Sequence, residues 1–436
     1  MSKALEIKNQ IHSLIEDYYK EVFKEKKFVG GESAVPVSGK VFDHKELQYI
    51  TDSALDAWFT TGRFNTEFEK KLAKFINVKS LLTVNSGSSA NLVAFSALTA
   101  VELEERAIKA GDEVITVAAS FPTTINPMLQ YGIVPVFLDI TLPTYQIDVN
   151  HLEAALSPKT KAVMVAHTLG NVFDLGAVKS FCERHKLWLI EDCCDALGAT
   201  YHGKHVGTFG DIGTLSFYPA HHITMGEGGA VFTGNAKLKK IMESFRDWGR
   251  DCWCEPGKDD TCGKRFTQQL GDLPFGYDHK YTYSRHGFNL KITDMQAALG
   301  LAQLEKLTDF IHTRRKNFDL LTKELSRHTD KLILPQATEH SNPSWFGYLV
   351  TVKPEAGITR DELIAVLNKK KIATRLLFAG DIRKQPYFKH YHYRVVGDLK
   401  NTDVILKDTF WIGVTPMVTE EMIHYMGSVF DEVLKK

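Results

Sequence analysis

The spacing of apolar residues between Ser80 and Thr233 alternates between the period of a strand and that of a helix. Short β-rich runs separated by helical stretches lie at 81–84, 113–117, 134–138, 162–166, 188–191, 214–217 and 230–232. Such alternation is typical of βαβ units around a mostly parallel sheet. Several runs are apolar on both faces, as strands covered by helices must be. The sequence therefore predicts an α/β fold whose large domain carries a seven-stranded, mostly parallel sheet.

The pattern changes at three places outside this region. Residues 4–27 carry apolar residues at helical spacing interrupted by charges, which indicates an amphipathic helix and not a signal peptide. Residues 247–285 form a long irregular stretch of Gly, Pro, Asp, Cys and aromatic residues, which predicts a functional insertion. After Thr293, helices at 295–307 and 314–325 lead into strands near 348–352 and a final helix. We therefore expect an N-terminal helix (1–30), a large domain (31–300) and a smaller C-terminal α+β domain (301–436).

Composition and charge restrict the classes of protein to which the chain can belong. The 436 residues exceed what one hydrophobic core usually serves, and 44% hydrophobic with 24% charged residues is ordinary globular composition. The 53 basic and 53 acidic residues cancel, so no net field favours nucleic acid or an anionic membrane. Apolar runs stay shorter than the roughly 20 residues of a membrane-spanning helix. We expect a cytoplasmic protein with neither a nucleic-acid nor a membrane partner.

Two short motifs predict a ligand site at the edge of the sheet. Residues 85–90 connect a predicted strand to a predicted helix, where backbone amides bind phosphate, although an ordinary capped turn has the same composition. Glu191 and Asp192 end an apolar strand, and α/β proteins bind ligands at such strand ends. A buried Asp192 needs a cationic partner such as a protonated pyridine nitrogen, unless it only caps a helix.

A longer motif at 214–230 carries a specific resemblance. A strand, Ser216-Phe217, a short spacer, one key residue and then Gly226-Glu-Gly-Gly resemble the sugar-aminotransferase family of fold-type I pyridoxal-phosphate enzymes. The resemblance covers most of the chain and includes Gly62-Arg63-Phe64, Ser86-Gly87-Ser88, Phe121-Pro122, Glu191-Asp192 and Asn289. It implies an aspartate aminotransferase-like fold and a homodimer.

The resemblance also implies a role for each matching residue. Ser86, Gly87, Ser88 and Ser216 would hold the cofactor phosphate, and the Phe121 ring would stack on the cofactor. Asp192 would face its pyridine nitrogen. Asn289 would reach the phosphate bound to the neighbouring subunit.

The chain departs from the aminotransferases of this family at two positions. His221 occupies the place of the Schiff-base lysine, so we expect the cofactor to be held noncovalently as pyridoxamine phosphate. Asp195 stands where the aminotransferases commonly have His or Gln, and together with His221 it resembles the 3-dehydratase branch. In that branch His221 would be the base, since histidine moves protons near neutral pH. Tyr218 is a candidate for contact with the sugar or the cofactor, or is a packing residue. The alternative is a decayed enzyme that only binds ligand.

The six cysteines fall into three groups. Cys182 lies on a predicted amphipathic helix and is most simply a core residue. Cys193 and Cys194 follow Asp192 directly, whereas Cys252, Cys254 and Cys262 lie in the irregular insertion. This spacing matches neither a common ferredoxin nor a zinc ribbon, so the residues alone leave reduced thiols and metal ligands both open.

The family resemblance favours metal ligation. Cys194 with Cys252, Cys254 and Cys262 resembles the pattern of the iron–sulfur 3-dehydratases that act on CDP-4-keto-6-deoxyglucose in 3,6-dideoxysugar synthesis. It implies a [2Fe–2S] cluster, a CDP-linked 4-keto-6-deoxy sugar as substrate and electrons from a separate NADH-dependent flavin or iron–sulfur reductase. The choice between Cys193 and Cys194 stays open. Arg63 and Arg375 are candidates for binding the sugar diphosphate.

Two rival interpretations remain. One is the cluster-free dehydratase type that acts on a GDP-linked keto sugar and regenerates its cofactor with glutamate, against which the cysteine set argues. The other is a noncatalytic sensor or scaffold on this fold, whose cysteines bind zinc.

Overall fold

A computed structural model describes residues 2–24, 26–254 and 257–435. Within this part of the chain the α-helices are α1 (Lys3–Val22), α2 (His44–Leu55), α3 (Arg63–Ile76), α4 (Gly87–Ala97), α5 (Pro122–Gln130), α6 (Leu152–Ala155), α7 (Leu175–His185), α8 (Ala236–Arg246), α9 (Asp294–Leu304), α10 (Leu307–Leu325), α11 (Arg360–Lys369), α12 (Lys400–Asp408) and α13 (Glu420–Leu434). The strands are β1 (Ser80–Val84), β2 (Glu113–Val117), β3 (Val134–Leu138), β4 (Ile140–Thr141), β5 (Gln146–Ile147), β6 (Thr160–Ala166), β7 (Trp188–Asp192), β8 (Thr200–Tyr201), β9 (Lys204–His205), β10 (Ile212–Ser216), β11 (Gly229–Thr233), β12 (Leu332–Ile333), β13 (Ser341–Asn342), β14 (Gly347–Val352), β15 (Arg375–Leu376), β16 (Arg394–Val395) and β17 (Thr409–Gly413).

The large sheet has the strand order β1-β11-β10-β7-β6-β2-β3-β16. Strands from β10 to β16 pair in parallel, and β11 runs antiparallel to both of its neighbours. All seven predicted strands are present, which confirms the α/β fold class. The sheet has one strand more than predicted, because the two-residue strand β16 joins its edge beside β3. Its residues are only partly buried, so it left no apolar run in the sequence.

Helices cover the large sheet on both faces. Leu189 and Ile190 are successive residues of β7, and their side chains enter the two opposite cores. Phe68 of α3 and Phe181 of α7 pack in the first core. Met128 of α5 belongs to the second. A parallel sheet buried in this way exposes only its edges and its strand ends, and the strand ends are where a ligand can reach it.

The C-terminal part of the chain builds a second sheet with the order β12-β14-β17-β15, in which every pair is antiparallel. Phe318 of α10, Leu363 of α11 and Phe430 of α13 pack on it in a separate core. Phe28 and Val35 join the same core from the N-terminal side. The exact domain limits that we expect from the sequence stay a prediction.

The predicted insertion at 247–285 is irregular in the structure. Its described residues contain a 3-10 turn at His279–Tyr281 and no longer element, and residues 255 and 256 lie outside the described part. Isolated bridges tie Asp247 to Asn289 and Arg250 to Tyr283. These bridges close the insertion at its base, and its described residues are irregular apart from the 3-10 turn.

Candidate active site

A cavity of about 610 Å³ opens at the carboxyl ends of β6, β7 and β10. Its wall contains ten of the residues singled out in the sequence as site residues: Ser86, Gly87, Ser88, Phe121, Asp192, Cys194, Asp195, Ser216, Tyr218 and His221. Phe346, Arg375 and Trp411 line the cavity from the C-terminal part of the chain. The site therefore lies between the large sheet and the second sheet, as expected for an α/β protein that binds its ligand at strand ends.

One end of the cavity is built from the N-terminus of α4. Ser86 is the N-cap, and its Oγ accepts a hydrogen bond of 3.0 Å from the Ser89 amide. A Cβ atom at Gly87 would lie 2.5 Å from the Cβ of Ser216, so the close approach of α4 and β10 requires glycine there. The backbone amides of this helix end and the Ser216 hydroxyl together suit a phosphate group.

Asp192 lies at the end of β7 and is only 4% exposed. Its Oδ2 accepts hydrogen bonds from Asn91 Nδ2 at 2.8 Å and from Thr124 Oγ1 at 2.7 Å. Its Oδ1 accepts one from the Cys194 amide at 3.1 Å. These donors fix the orientation of the carboxylate, which suits a cationic ring nitrogen as its remaining partner.

Asn91 and Thr124 are site residues that the sequence reasoning missed. Both are buried polar residues on helices with an apolar majority of buried positions, α4 and α5. A buried polar side chain needs a hydrogen-bond partner. A polar residue at a buried position of an apolar helix was therefore the sequence signal that could have found them. Only the fold shows that the partner is Asp192.

His221 lies in the loop after β10, next to Asp195. Its Nδ1 is 3.4 Å from Asp195 Oδ1, and both side chains are largely buried. Burial, reinforced by the positive charge of Arg314, lowers the pKa of His221 to about 4. Burial and the neighbouring Asp192 carboxylate raise the pKa of Asp195 to about 8. The imidazole is therefore neutral near pH 7 and able to accept a proton.

Arg314 of α10 holds the His221 loop from behind and was not found from the sequence. Its guanidinium donates hydrogen bonds to the His221 carbonyl at 3.2 Å and to the Trp345 and Phe346 carbonyls at 3.3 and 3.2 Å. The Phe346 ring lies 5.0 Å from the His221 ring between centroids. Contacts to backbone carbonyls cannot be predicted from the residue types in a sequence. The role of Arg314 was therefore found only in the structure.

The two aromatic candidates line the cavity and keep large exposed fractions. Phe121 is 47% exposed and packs edge-on against Phe378 at 5.9 Å between ring centroids. Tyr218 is 52% exposed. Both rings are therefore accessible to a ligand, and their roles toward cofactor or sugar stay predictions.

Three of the sequence candidates lie elsewhere or only border the site. Asn289 is exposed and bridges Asp247 through its backbone, outside the cavity of its own chain. Arg63 pairs with Asp56 at 2.5 Å and lies outside the lining of the cavity. Arg375 lines the cavity and is exposed. Of the two arginine candidates for a sugar diphosphate, Arg375 is the one beside the cavity.

The cysteines of the insertion come together in a second, small pocket. Cys252, Cys254 and Cys262 all line it. Burial raises the pKa of the Cys254 thiol, but hydrogen bonds from Thr261 and from the other two cysteines outweigh it and bring that pKa down to about 7. Three sulfur atoms in one pocket, one with a lowered thiol pKa, would suit a thiophilic metal ion.

The neighbouring residues Cys193 and Cys194 lie in different environments, one in a hydrophobic core and the other at the cavity. Cys193 is 1% exposed, belongs to a hydrophobic core and donates its thiol proton to the Glu191 carbonyl at 3.5 Å. Cys194 lines the large cavity, and burial raises the pKa of its thiol well above the ordinary value. Cys194 is thus the member of the pair that borders the candidate site.

Among the described residues, no helix combines the length and the apolar character that crossing a membrane requires.

Comparison with known proteins places the chain in one family. The model of the DegT/DnrJ/EryC1/StrS aminotransferase family matches residues 41–430. The chain is 60% identical over 429 residues to the lipopolysaccharide biosynthesis protein RfbH of Salmonella typhimurium, covering 98% of each chain. It is 48% identical over 429 residues to a dTDP-4-dehydro-2,6-dideoxy-D-glucose 3-dehydratase of Saccharopolyspora spinosa, covering 98% of this chain and 92% of that one.

A solved structure agrees with the sequence comparison. The E. coli GDP-4-keto-6-deoxy-D-mannose-3-dehydratase with bound hydrated PLP superposes with a TM-score of 0.82 at 29% identity, covering 91% of this chain and 98% of that chain. Its fold is the pyridoxal-phosphate-dependent fold that the sequence predicts. Because the family model matches residues 41–430, the chain belongs to the DegT/DnrJ/EryC1/StrS aminotransferase family.

Proposed function

We propose that the protein is a pyridoxamine-phosphate-dependent dehydratase that removes the C3 hydroxyl of a nucleotide-linked 4-keto-6-deoxy sugar, in 3,6-dideoxysugar synthesis for lipopolysaccharide. The observation that carries the proposal is His221, which stands in the cofactor-type cavity where the aminotransferases of the family have lysine. The names of two relatives, a dTDP-sugar 3-dehydratase and a GDP-sugar 3-dehydratase, support the same reaction class.

The cavity residues fit pyridoxamine phosphate. The amides at the N-terminus of α4, with Ser216, would hold the phosphate, and Asp192 would hold the pyridine nitrogen. Because Gly87 has no Cβ, the N-terminus of α4 can lie close enough to Ser216 for both to contact one phosphate group. When bound, the cofactor supplies an amine that condenses with a ketone and a ring that accepts electrons.

His221 supplies the base in this proposal. Its imidazole would accept the proton from carbon C4′ of the bound cofactor, because burial and Arg314 keep the ring uncharged and therefore able to take one up. Asp195 is our candidate for positioning the ring, because its Oδ1 lies 3.4 Å from His221 Nδ1. Arg314 fixes the backbone of the same loop by donating to the His221 carbonyl.

We propose a [2Fe–2S] cluster as the second cofactor. Replacing the C3 hydroxyl by hydrogen consumes two electrons and two protons and releases water, and a cluster passes electrons one at a time. Cys252, Cys254 and Cys262 share one pocket, which supports them as three of the ligands. Cys194 is our candidate for the fourth, because Cys193 is packed into the core. A separate NADH-dependent flavin or iron–sulfur reductase would supply the electrons.

The subunit arrangement and the nucleotide belong to the same proposal. Asn289 is exposed and lies outside the cavity of its own subunit. This position supports a homodimer in which Asn289 contacts the cofactor phosphate of the partner subunit. We propose CDP as the nucleotide because the cysteine pattern resembles the iron–sulfur branch. Arg375 at the cavity is the candidate for the diphosphate.

A cluster-free dehydratase of a GDP-linked sugar is the second candidate, since the solved structure with a TM-score of 0.82 is named as such an enzyme. The cysteine pocket favours the first candidate over it.

Substrate turnover tests the proposal. The anaerobic protein, loaded with pyridoxamine phosphate and iron, is incubated with CDP-, dTDP- or GDP-linked 4-keto-6-deoxyhexose and a reductant, and products are analysed by mass spectrometry. We expect the CDP sugar to lose one oxygen atom only when the reductant is present. Turnover of the GDP sugar with glutamate and without reductant would contradict the redox reaction.

A further inference from the structure

The cysteine pocket contains a histidine as well as thiols. The residues that line it are Cys252, Cys254, Asp259, Asp260, Cys262, Arg265, His279 and Lys280. Three of these are the proposed cluster ligands. The others decide the electrostatic and hydrogen-bonding surroundings of whatever the thiolates bind.

His279 has a buried ring nitrogen without a hydrogen-bond partner. The residue is 3% exposed, and its Nδ1 makes no hydrogen bond within the described ranges 2–24, 26–254 and 257–435. Buried polar atoms in proteins nearly always have a partner. The unpaired nitrogen belongs to a residue that lines a pocket of thiols, so it is available to a ligand bound there.

The imidazole is held firmly in this position. The ring packs edge-on against Trp253, with centroids 5.5 Å apart and an angle of 81° between the planes. The His279 amide donates to the Arg265 carbonyl at 2.9 Å. His279 also begins a 3-10 turn that Asp278 caps. Backbone and ring contacts thus orient the side chain without using Nδ1.

The cationic residues of the pocket are already paired. Arg265 donates to both carboxylate oxygens of Asp278, at 3.0 and 2.9 Å. Lys280 forms an ion pair with Asp259. His279 is therefore the side chain at this pocket with a buried ring nitrogen to which no described residue hydrogen-bonds.

We propose that His279 donates a hydrogen bond from Nδ1 to a sulfur atom of the bound iron–sulfur cluster and thereby raises its reduction potential. Reduction adds one electron to the cluster, and its negative charge is shared by the sulfur atoms. An N–H donor stabilises that more negative state more than the oxidised state. The inference rests on the proposed function, because it requires the cluster.

Three variants separate hydrogen bonding from packing. His279→Phe keeps a ring against Trp253 but has no N–H, whereas His279→Asn places an amide N–H near the position of Nδ1. His286→Phe is the matched control, because His286 is an exposed histidine of the same chain segment. Each protein is reconstituted anaerobically, analysed for iron and sulfide, and titrated with dithionite while visible absorbance reports the reduced fraction.

We expect His279→Phe to retain iron and sulfide and to be harder to reduce. Its equilibrium constant for reduction should fall at least tenfold, which is about 59 mV for one electron. His279→Asn should recover part of this loss, and His286→Phe should match the wild type. If His279→Phe does not fold, His279→Leu replaces it in the same comparison.

Two results would overturn the inference. One is a wild-type potential in His279→Phe, or a larger shift in His279→Asn than in His279→Phe, which would indicate packing alone. The other is loss of iron from both His279 variants while circular dichroism shows them folded, which would make His279 a ligand. A wild-type protein that binds no iron contradicts the cluster itself and is recognised before any variant is compared.

Discussion

The chemistry at the scale of single residues centres on His221 and its neighbours. Asp192 was singled out from its position at a strand end, and His221 and Asp195 from the family resemblance; all three line the cavity. Arg314 lies 93 residues away from His221 and contacts its carbonyl, so it could not be predicted from a motif. Residue roles that act through the backbone become visible only in the folded chain.

Replacing His221 tests its role as base. We expect His221→Asn to lower the dehydratase rate by about 10²–10⁴-fold, the usual contribution of a positioned base, while pyridoxamine phosphate still binds. The measurements are single-turnover rate and cofactor affinity. His312→Asn on the exposed face of α10 is the matched control. Full activity of the His221 variant would remove it as the base.

The protonation state of His221 gives a pH prediction for the cofactor-free protein. Its pKa is lowered from 6.5 to about 4 by burial and by Arg314. As pH falls through 6.5 the unfolded chain takes up a proton that the folded chain does not, so the free energy of unfolding decreases until about pH 4. In NMR spectra of histidine-labelled protein, we expect the His221 ring to stay neutral where exposed histidines titrate. A midpoint near 6.5 would contradict this.

At the scale of elements, the site depends on the close packing of the N-terminus of α4 against the end of β10. The alternation of strands and helices predicted the seven main strands, because strands buried on both faces leave apolar runs in the sequence. The two-residue strand β16 could not be predicted, since pairing with β3 and not hydrophobicity defines it. The same limit applies to Asn91 and Thr124, whose shared contact with Asp192 depends on the packing of α4 and α5.

A methyl group at Gly87 tests the junction of α4 and β10. In Gly87→Ala the new Cβ would lie 2.5 Å from the Ser216 Cβ, so the phosphate end must widen or shift. We expect pyridoxamine phosphate to bind at least about tenfold more weakly, or about 1.4 kcal/mol, by equilibrium dialysis. Gly234→Ala is the control, because nothing lies within 4 Å of its new Cβ. Equal affinities in both variants would exclude this phosphate site.

At the scale of the whole molecule, the active site needs segments far apart in sequence. Phe346, Arg375 and Trp411 from the C-terminal part close a cavity whose chemistry lies on the large sheet. The sequence singled out Arg375 as a candidate but not Phe346 or Trp411, because the relative placement of the two sheets decides which C-terminal residues face the cavity. It grouped the cysteines only through a family resemblance, and the pocket that joins Cys252, Cys254 and Cys262 is a finding of the structure.

Removing one thiol tests the cysteine pocket. We expect Cys254→Ala to lose most of its iron while its far-ultraviolet circular dichroism is unchanged, because Cys254 lies in the irregular insertion and not in a core. Cys182→Ala is the control, since Cys182 lies on α7 and is buried in the core, so this variant should keep the iron despite lower stability. Iron that is unchanged in the Cys254 variant would exclude the proposed ligands.

The central claim is that this chain couples a pyridoxamine-phosphate site to an iron–sulfur centre. The most direct measurement is an anaerobic preparation analysed for iron and acid-labile sulfide per chain, with visible spectra before and after pyridoxamine phosphate is added. We predict two irons and two sulfides per chain, together with noncovalent cofactor binding. Zinc or no metal in the anaerobic protein would contradict the redox dehydratase and leave the histidine-containing cofactor site without its electron source.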